Sequence, residues 1–385
     1  MKAIHAATVA RPDDGQPFMS EENSCIGMAA VSILRYFEML NKRILLLLIL
    51  MTYLPASAFS NEPVPANEAM AIQQIARIVE ENIRTAAKHG PAHRDVHFKA
   101  HGCVKAEFHV LPLPEAMQIG IFAKARTYPA WIRYSNGSGK VQDDSVGDGR
   151  GMAVKLMGIE SSQSGTHDFV MVNHPVFFVR NAADYVEFQK AVAQDALRKF
   201  FFPGFNPLNF RLHELAIALA IRSRKVDNPL DIQYWSATPY RFGDNAMKFS
   251  VRPCGKPIHA SAETGSPNFL RENMQKHLTN DDACFDFMVQ LRTHPLEMPI
   301  EDPTIDWSEK DSPFIPAAKI TIPSQAFDTP EQLKFCENLS FSPWHAALDH
   351  QPLGGINRVR KAVYETSSRI RHELNGIEPR EPIGF

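Results

Sequence analysis

Three residues near the end of the sequence, Arg360, Tyr364 and Arg371, stand at relative positions 0, 4 and 11. On a helix turning about 100° per residue they fall within roughly 40° of one another. Two guanidinium groups beside one phenol favour its ionised form, because nearby positive charge stabilises the phenolate over the neutral side chain. A phenolate is a hard, anionic ligand suited to ferric iron. Taken alone, the same spacing also describes a solvated basic face carrying a surface tyrosine.

Four earlier segments add to this chemistry. Arg94-Asp95-Val96-His97-Phe98-Lys99 sets an imidazole three residues after a guanidinium, and in Trp131-Ile132-Arg133-Tyr134-Ser135 strand alternation puts Arg133 and Ser135 on one face. Asp148-Gly149-Arg150-Gly151-Met152-Ala153 reads as a backbone turn entering a strand. Asp168-Phe169-Val170-Met171-Val172-Asn173-His174-Pro175-Val176-Phe177-Phe178-Val179-Arg180 is the most distinctive stretch, and Phe341-Ser342-Pro343 and Gly355-Ile356 lead into the tyrosine segment. Singly, a lone histidine beside a strand or an aromatic stripe is more often core than catalytic. In this order, from Arg94 to Arg371, the set resembles haem catalases, in which a tyrosine ligates the iron. It is most similar to small catalase-like proteins, including allene-oxide-synthase-like ones, that lack the C-terminal domains of large catalases. The runs Pro343-Trp344-His345 and Pro352-Leu353-Gly354-Gly355-Ile356-Asn357 match that smaller branch.

The resemblance implies a cofactor, haem b, with Tyr364 as the axial ligand and Arg360 hydrogen-bonded to the ligand oxygen. It implies that Arg94 and Arg133 meet the propionates, with Val96, Arg371 and the aromatic rings of Phe177 and Tyr185 also around the haem. It sets His97 over the iron as general acid–base, Ser135 holding one imidazole tautomer, and Asn173 positioning the second peroxide oxygen. The implied substrate is a peroxide or an organic hydroperoxide, with an organic electron donor as a possible partner. Two activities stay open: catalase or peroxidase chemistry, or rearrangement of fatty-acid hydroperoxides with little catalase turnover. A barrel that has lost its haem and binds an apolar ligand is the third reading.

Three departures bear on this. One extra residue separates His97 from Phe108, which a β-bulge would absorb. The family's catalytic asparagine aligns by strict count with Val172, and Asn173 follows one residue later. In a strand such a shift reverses the face, so either a bulge turns Asn173 inward or the site lacks that amide. Position 137 is glycine where the family carries an apolar gate, which would admit a larger hydroperoxide.

The elements that must hold these residues follow from periodicity. Asn67 caps a predicted helix in which Met70, Ile72, Ile75, Val79 and Ile83 recur at threes and fours, stopped by Gly90-Pro91. From Lys99 the period becomes two, with Val104, Ala106, Phe108 and Val110 on one face. Further strands are expected over 130–134, 152–157, 169–172, 247–251, 285–291 and 317–322, and helices over 182–193, 208–222, 269–278 and 356–374. Thr293 to Pro316 reads as a wrapping loop. The fold class is α+β: an antiparallel β-barrel of the catalase type enclosing haem, with surrounding helices.

The sequence has 385 residues and a net charge of −2, with no long basic run, which argues against nucleic acid as a partner. Asn41-Lys42-Arg43, the apolar run Ile44 to Leu54 and Ala56-Ser57-Ala58 stand in the order of a secretion signal, and the run is shorter than the roughly 20 residues of a stable membrane span. The expected organisation is a doubtful leader over 1–38, a signal peptide over 39–58 starting at Met39, and one haem-binding domain over 59–385. The expected location is secreted or periplasmic, with a membrane anchor formed by an uncleaved signal as the alternative. Four cysteines of the mature chain, Cys103, Cys254, Cys284 and Cys336, allow three disulfide pairings or buried free thiols.

Overall fold

The computed structural model describes residues 62–255 and 265–385. The leader and the secretion signal lie outside the described residues. The strands are β1 (Ala100–Val110), β2 (Thr127–Asn136), β3 (Arg150–Met157), β4 (Thr166–Val172), β5 (Tyr234–Trp235), β6 (Tyr240–Phe242), β7 (Asn245–Pro253), β8 (Ala283–Leu291) and β9 (Ile315–Ile322). They form one antiparallel sheet in the order β5-β4-β3-β2-β1-β9-β8-β7-β6, and the further pairing of β5 with β7 closes it into an eight-stranded barrel with β6 added on β7. The period-two segments of the sequence all lie in these strands. The two-residue β5 and three-residue β6 are too short to show a period.

Eight strands leave an interior just wide enough for side chains to fill. Here Phe108, Phe169, Phe249 and Phe287 pack in the middle with ring centroids 4.5 to 5.7 Å apart, surrounded by Val104, Ile132, Val154 and Ile320. The barrel interior is a packed aromatic core, and the cavity that gathers the candidate residues lies on the outer face of β2 to β4, under the surrounding helices.

Helices surround the barrel. They are α1 (Glu68–Ala86), α2 (Ala182–Ala193), α3 (Leu197–Phe201), α4 (Leu212–Ser223), α5 (Phe269–Leu278), α6 (Pro330–Asn338) and α7 (Gly355–Asn375). α1 buries Ala71, Ile75, Val79 and Ile83 against Val359, Val363 and Ile370 of α7, while Met70 points to solvent. Asn67 occupies the N-cap position of α1 without a side-chain capping bond. α6 was not anticipated from periodicity, although Thr329-Pro330-Glu331-Gln332 is a capping sequence and Thr329 does accept the Gln332 N–H. Disulfides join Cys103 to Cys336 and Cys254 to Cys284. The first ties α6 to the outer face of β1. The 293–314 segment wraps the outside between β8 and β9 and buries Trp307. Among the described residues no helix is long and apolar enough to cross a membrane.

Candidate active site

A cavity lies between the outer face of β2 to β4 and the inner face of α7. His97, Ser135, Gly151 and Val170 line one side, Tyr364, Val363, Phe341 and Ser367 the other, and Arg94, Arg133 and Arg371 also line it. Residues more than 200 positions apart thus meet because β2 to β4 and the turn before β1 supply one wall and the last helix supplies the other.

His97 precedes β1 on a turn with φ 57°, a left-handed conformation that is costly for a residue with a side chain. Its backbone is fixed on both sides: its N–H donates to Gly137 O (3.1 Å) and its carbonyl accepts from Arg133 Nη2 (2.8 Å). The ring is fixed as well, with Nδ1 3.1 Å from Ser135 Oγ. Burial, then the positive charges of Arg133 and Arg360, push the imidazole down to about 4. His97 is accordingly neutral at pH 7 and able to accept a proton.

Just after it the register between β1 and β2 shifts. Ala100 faces Ser135 and Gly102 faces Tyr134, so His101 is the extra residue of a bulge. Its buried ring takes a 2.8 Å hydrogen bond with Asn136 Oδ1. The bulge absorbs the residue inserted between His97 and Phe108.

Three guanidinium groups converge at the cavity. Burial lowers the pKa of Arg94, Arg133 and Arg371, and each is lowered further by, or itself lowers, another of the three; Arg371 falls to about 9. Glu337 of α6 is the carboxylate that answers them, 3.0 Å from Arg94 Nη1. Burial alone would push its pKa up, but Arg94, Arg133 and Arg371 outweigh that and hold it below the usual range. The Nε atoms of Arg133 and Arg371 are buried with no hydrogen-bond partner. One carboxylate among three buried cations, with donors left over, is the chemistry of a site built for an anion. The lining also includes the apolar Val96, Ala153, Met171 and Val363, beside Ser340, Ser367 and Ser368. A flat apolar group carrying carboxylates, as haem does, fits this donor set.

On α7, the Arg360 guanidinium carbon lies 5.6 Å from the Tyr364 ring centroid. Arg360 Nη1 also donates to Thr238 Oγ1 (3.1 Å), Asn357 Oδ1 (3.1 Å) and Tyr240 Oη (3.3 Å). Burial disfavours its charge, yet the phenols of Tyr240 and Tyr364 overcome this and hold its pKa above the ordinary value.

Other expected residues are placed differently. Phe177 and Tyr185 pack against each other, ring centroids 6.1 Å apart, in an aromatic cluster with Phe178 and Phe188, and Tyr185 also packs with Tyr364 against the α1–α7 core. No bulge interrupts β3 and β4: the register runs from Met157–Thr166 to Gly151–Val172. Val172 therefore lies on the same outer face as Val170, opposite Gly151. Asn173 lies past the strand end, its Oδ1 accepting the Arg150 N–H (2.8 Å) and its Nδ2 buried without a partner. The expectation of a bulge that turns Asn173 toward the cavity is corrected. Nor is Gly137 a wide gate, since a Cβ there would come within 3.1 Å of Asp148 Oδ1 and 3.2 Å of Gly149 O. Glu337 was missed because α6 was missed.

Comparison with known proteins agrees with this architecture. The Catalase family model matches residues 59–202. Catalase-A of Dictyostelium discoideum is 26% identical over 262 residues, covering 58% of this chain and 48% of that protein. The chain thus spans about half the length of that curated relative. A fungal catalase structure superposes with a TM-score of 0.60 at 16% identity, covering 83% of this chain and 66% of the other. Catalase A from Saccharomyces cerevisiae gives 0.60 at 18% identity, covering 82% and 68%. These structural likenesses show the fold, and a bacterial catalase repeats it with a TM-score of 0.58 at 18% identity, over 86% of this chain and 66% of that one. With the family match over residues 59–202 and the shared barrel and helices across most of its described length, the chain has the catalase fold and is similar to catalases.

Proposed function

We propose that the protein is a haem-dependent, peroxide-consuming oxidoreductase. The observation that carries this reading is the cavity with Tyr364 on one wall, neutral His97 on the other and three buried, under-compensated arginines around it. Tyr364 would ligate the iron, Arg94, Arg133 and Arg371 would take the propionates, and Arg360 would stabilise the phenolate by its proximity. The bound haem, of the b type in this reading, supplies redox capacity at ferric iron.

The chain's own contribution is proton transfer. The Nδ1 of His97 is engaged with Ser135, which leaves Nε2 to take the proton from a hydroperoxide O–H and return it to the departing oxygen. The fixed backbone at His97 holds that nitrogen in place without reorganisation.

Val172 favours a peroxidase-like balance within this reading. The register, with Val172 on the outer face opposite Gly151, supports reading this apolar side chain as the counterpart of the family's amide, so that a reductant or an organic hydroperoxide would be the productive partner. Rearrangement of a fatty-acid hydroperoxide, with little oxygen evolution, is the second reading that Val172 supports. Export to a secreted or periplasmic location is supported by the order of the signal-like parts and by two disulfides, which suit an oxidising compartment.

Protein purified with haem supplied is expected to show a Soret band that Tyr364→Phe shifts or abolishes. Oxygen evolution from hydrogen peroxide, guaiacol-type oxidation and consumption of a fatty-acid hydroperoxide then separate the activities. All are expected to be lost in His97→Ala. Absence of a Soret band in both proteins would overturn the proposal.

A further inference from the structure

The stretch 196–226 holds six cations, Arg198, Lys199, Arg211, Arg222, Arg224 and Lys225, against one acid, Glu214, in a chain whose net charge is −2. Glu214 is buried and bridged to Arg180 (2.9 Å), and Arg211 bridges Asp184 (3.3 Å) and Glu187. The other five cations are exposed.

The same stretch concentrates exposed apolar side chains. Phe205 is 63% exposed, Leu208 92%, and Leu212 and Leu219 58% each. Leu212 and Leu219, seven residues apart on α4, project from one side of the helix, which buries only Glu214 and Ile217. Gly204 and Phe205 both have positive φ, 58° and 55°, at the tip of the preceding loop. Arg198 lies over the Phe205 ring at 5.3 Å. A strained backbone thus presents an aromatic ring to solvent with a cation upon it.

We infer that this face docks on an anionic lipid bilayer. Aromatic and leucine anchors that enter the headgroup boundary, flanked by cations that meet anionic lipids, are the pattern of interfacial binding. Charge disfavours a second copy as the occupant. A two-fold interface sets the same patch against itself and would bring five cations of one copy against five of the other, with only the flanking Asp195 and Asp227 to offset them. The docking is independent of the haem reading. The C-terminal turn of α4 packs on the loop that carries Asp148: a Cβ at Gly149 would touch Ile221 at 3.4 Å, and one at Gly147 would strike the Arg222 carbonyl. Arg224 donates to the Asn173 carbonyl at the end of β4.

Co-sedimentation of the purified protein with vesicles tests this. Binding is expected to phosphatidylcholine vesicles containing phosphatidylglycerol, to weaken as salt rises, and to be absent with phosphatidylcholine alone. Each cation near an anionic surface is worth about fivefold in affinity, so the double change Arg198→Glu, Lys199→Glu should weaken binding by at least about 25-fold. Leu208→Glu removes no packing and should also abolish sedimentation while leaving the melting temperature and the Soret band unchanged. No binding to anionic vesicles, binding that survives both variants, or a solution dimer broken by Leu208→Glu in place of vesicle binding would each overturn the inference.

Discussion

A side chain at Gly151 would collide with His97: its Cβ would lie 2.7 Å from the imidazole Nδ1 and 3.0 Å from Ser135 Oγ. β3 presents bare backbone there, and the ring rests against it. Gly151→Ala must push the imidazole off that surface or break its bond to Ser135. Peroxide turnover is expected to fall by about 100-fold, on the scale of losing a positioned acid–base group, with haem affinity little changed because the arginines and Tyr364 are untouched. Stopped-flow rates set beside a haem titration check this, and a parallel loss of haem would point to general disruption instead.

On the proposed reading, position 172 can be given the amide that the family carries. Val172→Asn puts a carboxamide opposite Gly151 on the outer face, and it should raise oxygen evolution from hydrogen peroxide relative to guaiacol oxidation. Val172→Leu serves as the apolar control. Equal ratios in the parent and both variants would show that position 172 does not decide between the two reactions.

The Cys103–Cys336 disulfide anchors α6 next to Glu337, the carboxylate that compensates Arg94. Cys336→Ser should lower stability by about 2–5 kcal/mol. It should also weaken haem binding by loosening Glu337, a change that urea unfolding and haem titration can separate.

Acid should destabilise the fold through its buried imidazoles. His350 Nε2 accepts the Ile121 N–H (3.2 Å), which requires the neutral ring, and burial pushes its pKa to about 4. The unfolded chain, with a histidine pKa of about 6.5, takes up the proton first as pH falls. Stability from this group is therefore full above about 6.5 and is lost between 6.5 and 4, roughly 3 kcal/mol in total. The melting temperature of His350→Gln should fall less steeply over that window than that of the parent. Equal slopes would assign the acid sensitivity to other groups.

Much of this could be read from residues alone. Alternation exposed β1 to β4 and β7 to β9 because each has one face in the core, and the 4 and 11 spacing around Tyr364 marked the inner face of α7. What stayed hidden depended on contacts between distant elements. Nothing in the spacing of Phe108 or Phe249 says that they fill the barrel and leave the cavity outside it. Glu337 has no local partner, and its role follows only once α6 is pinned to β1. Whether Val172 or Asn173 shares a face with Val170 hinged on register, which one inserted residue would have reversed.

The two walls of the cavity are also made at different times. Every strand is complete by Ile322, whereas Tyr364 arrives on α7, at Gly355–Asn375. A growing chain can close its barrel and display His97 with Arg94 and Arg133 as an open shelf before the opposing wall exists. On the proposed reading, haem capture would then be a closing event, in which α7 latches over a group already resting on the shelf, and ligation by Tyr364 would follow the making of both walls.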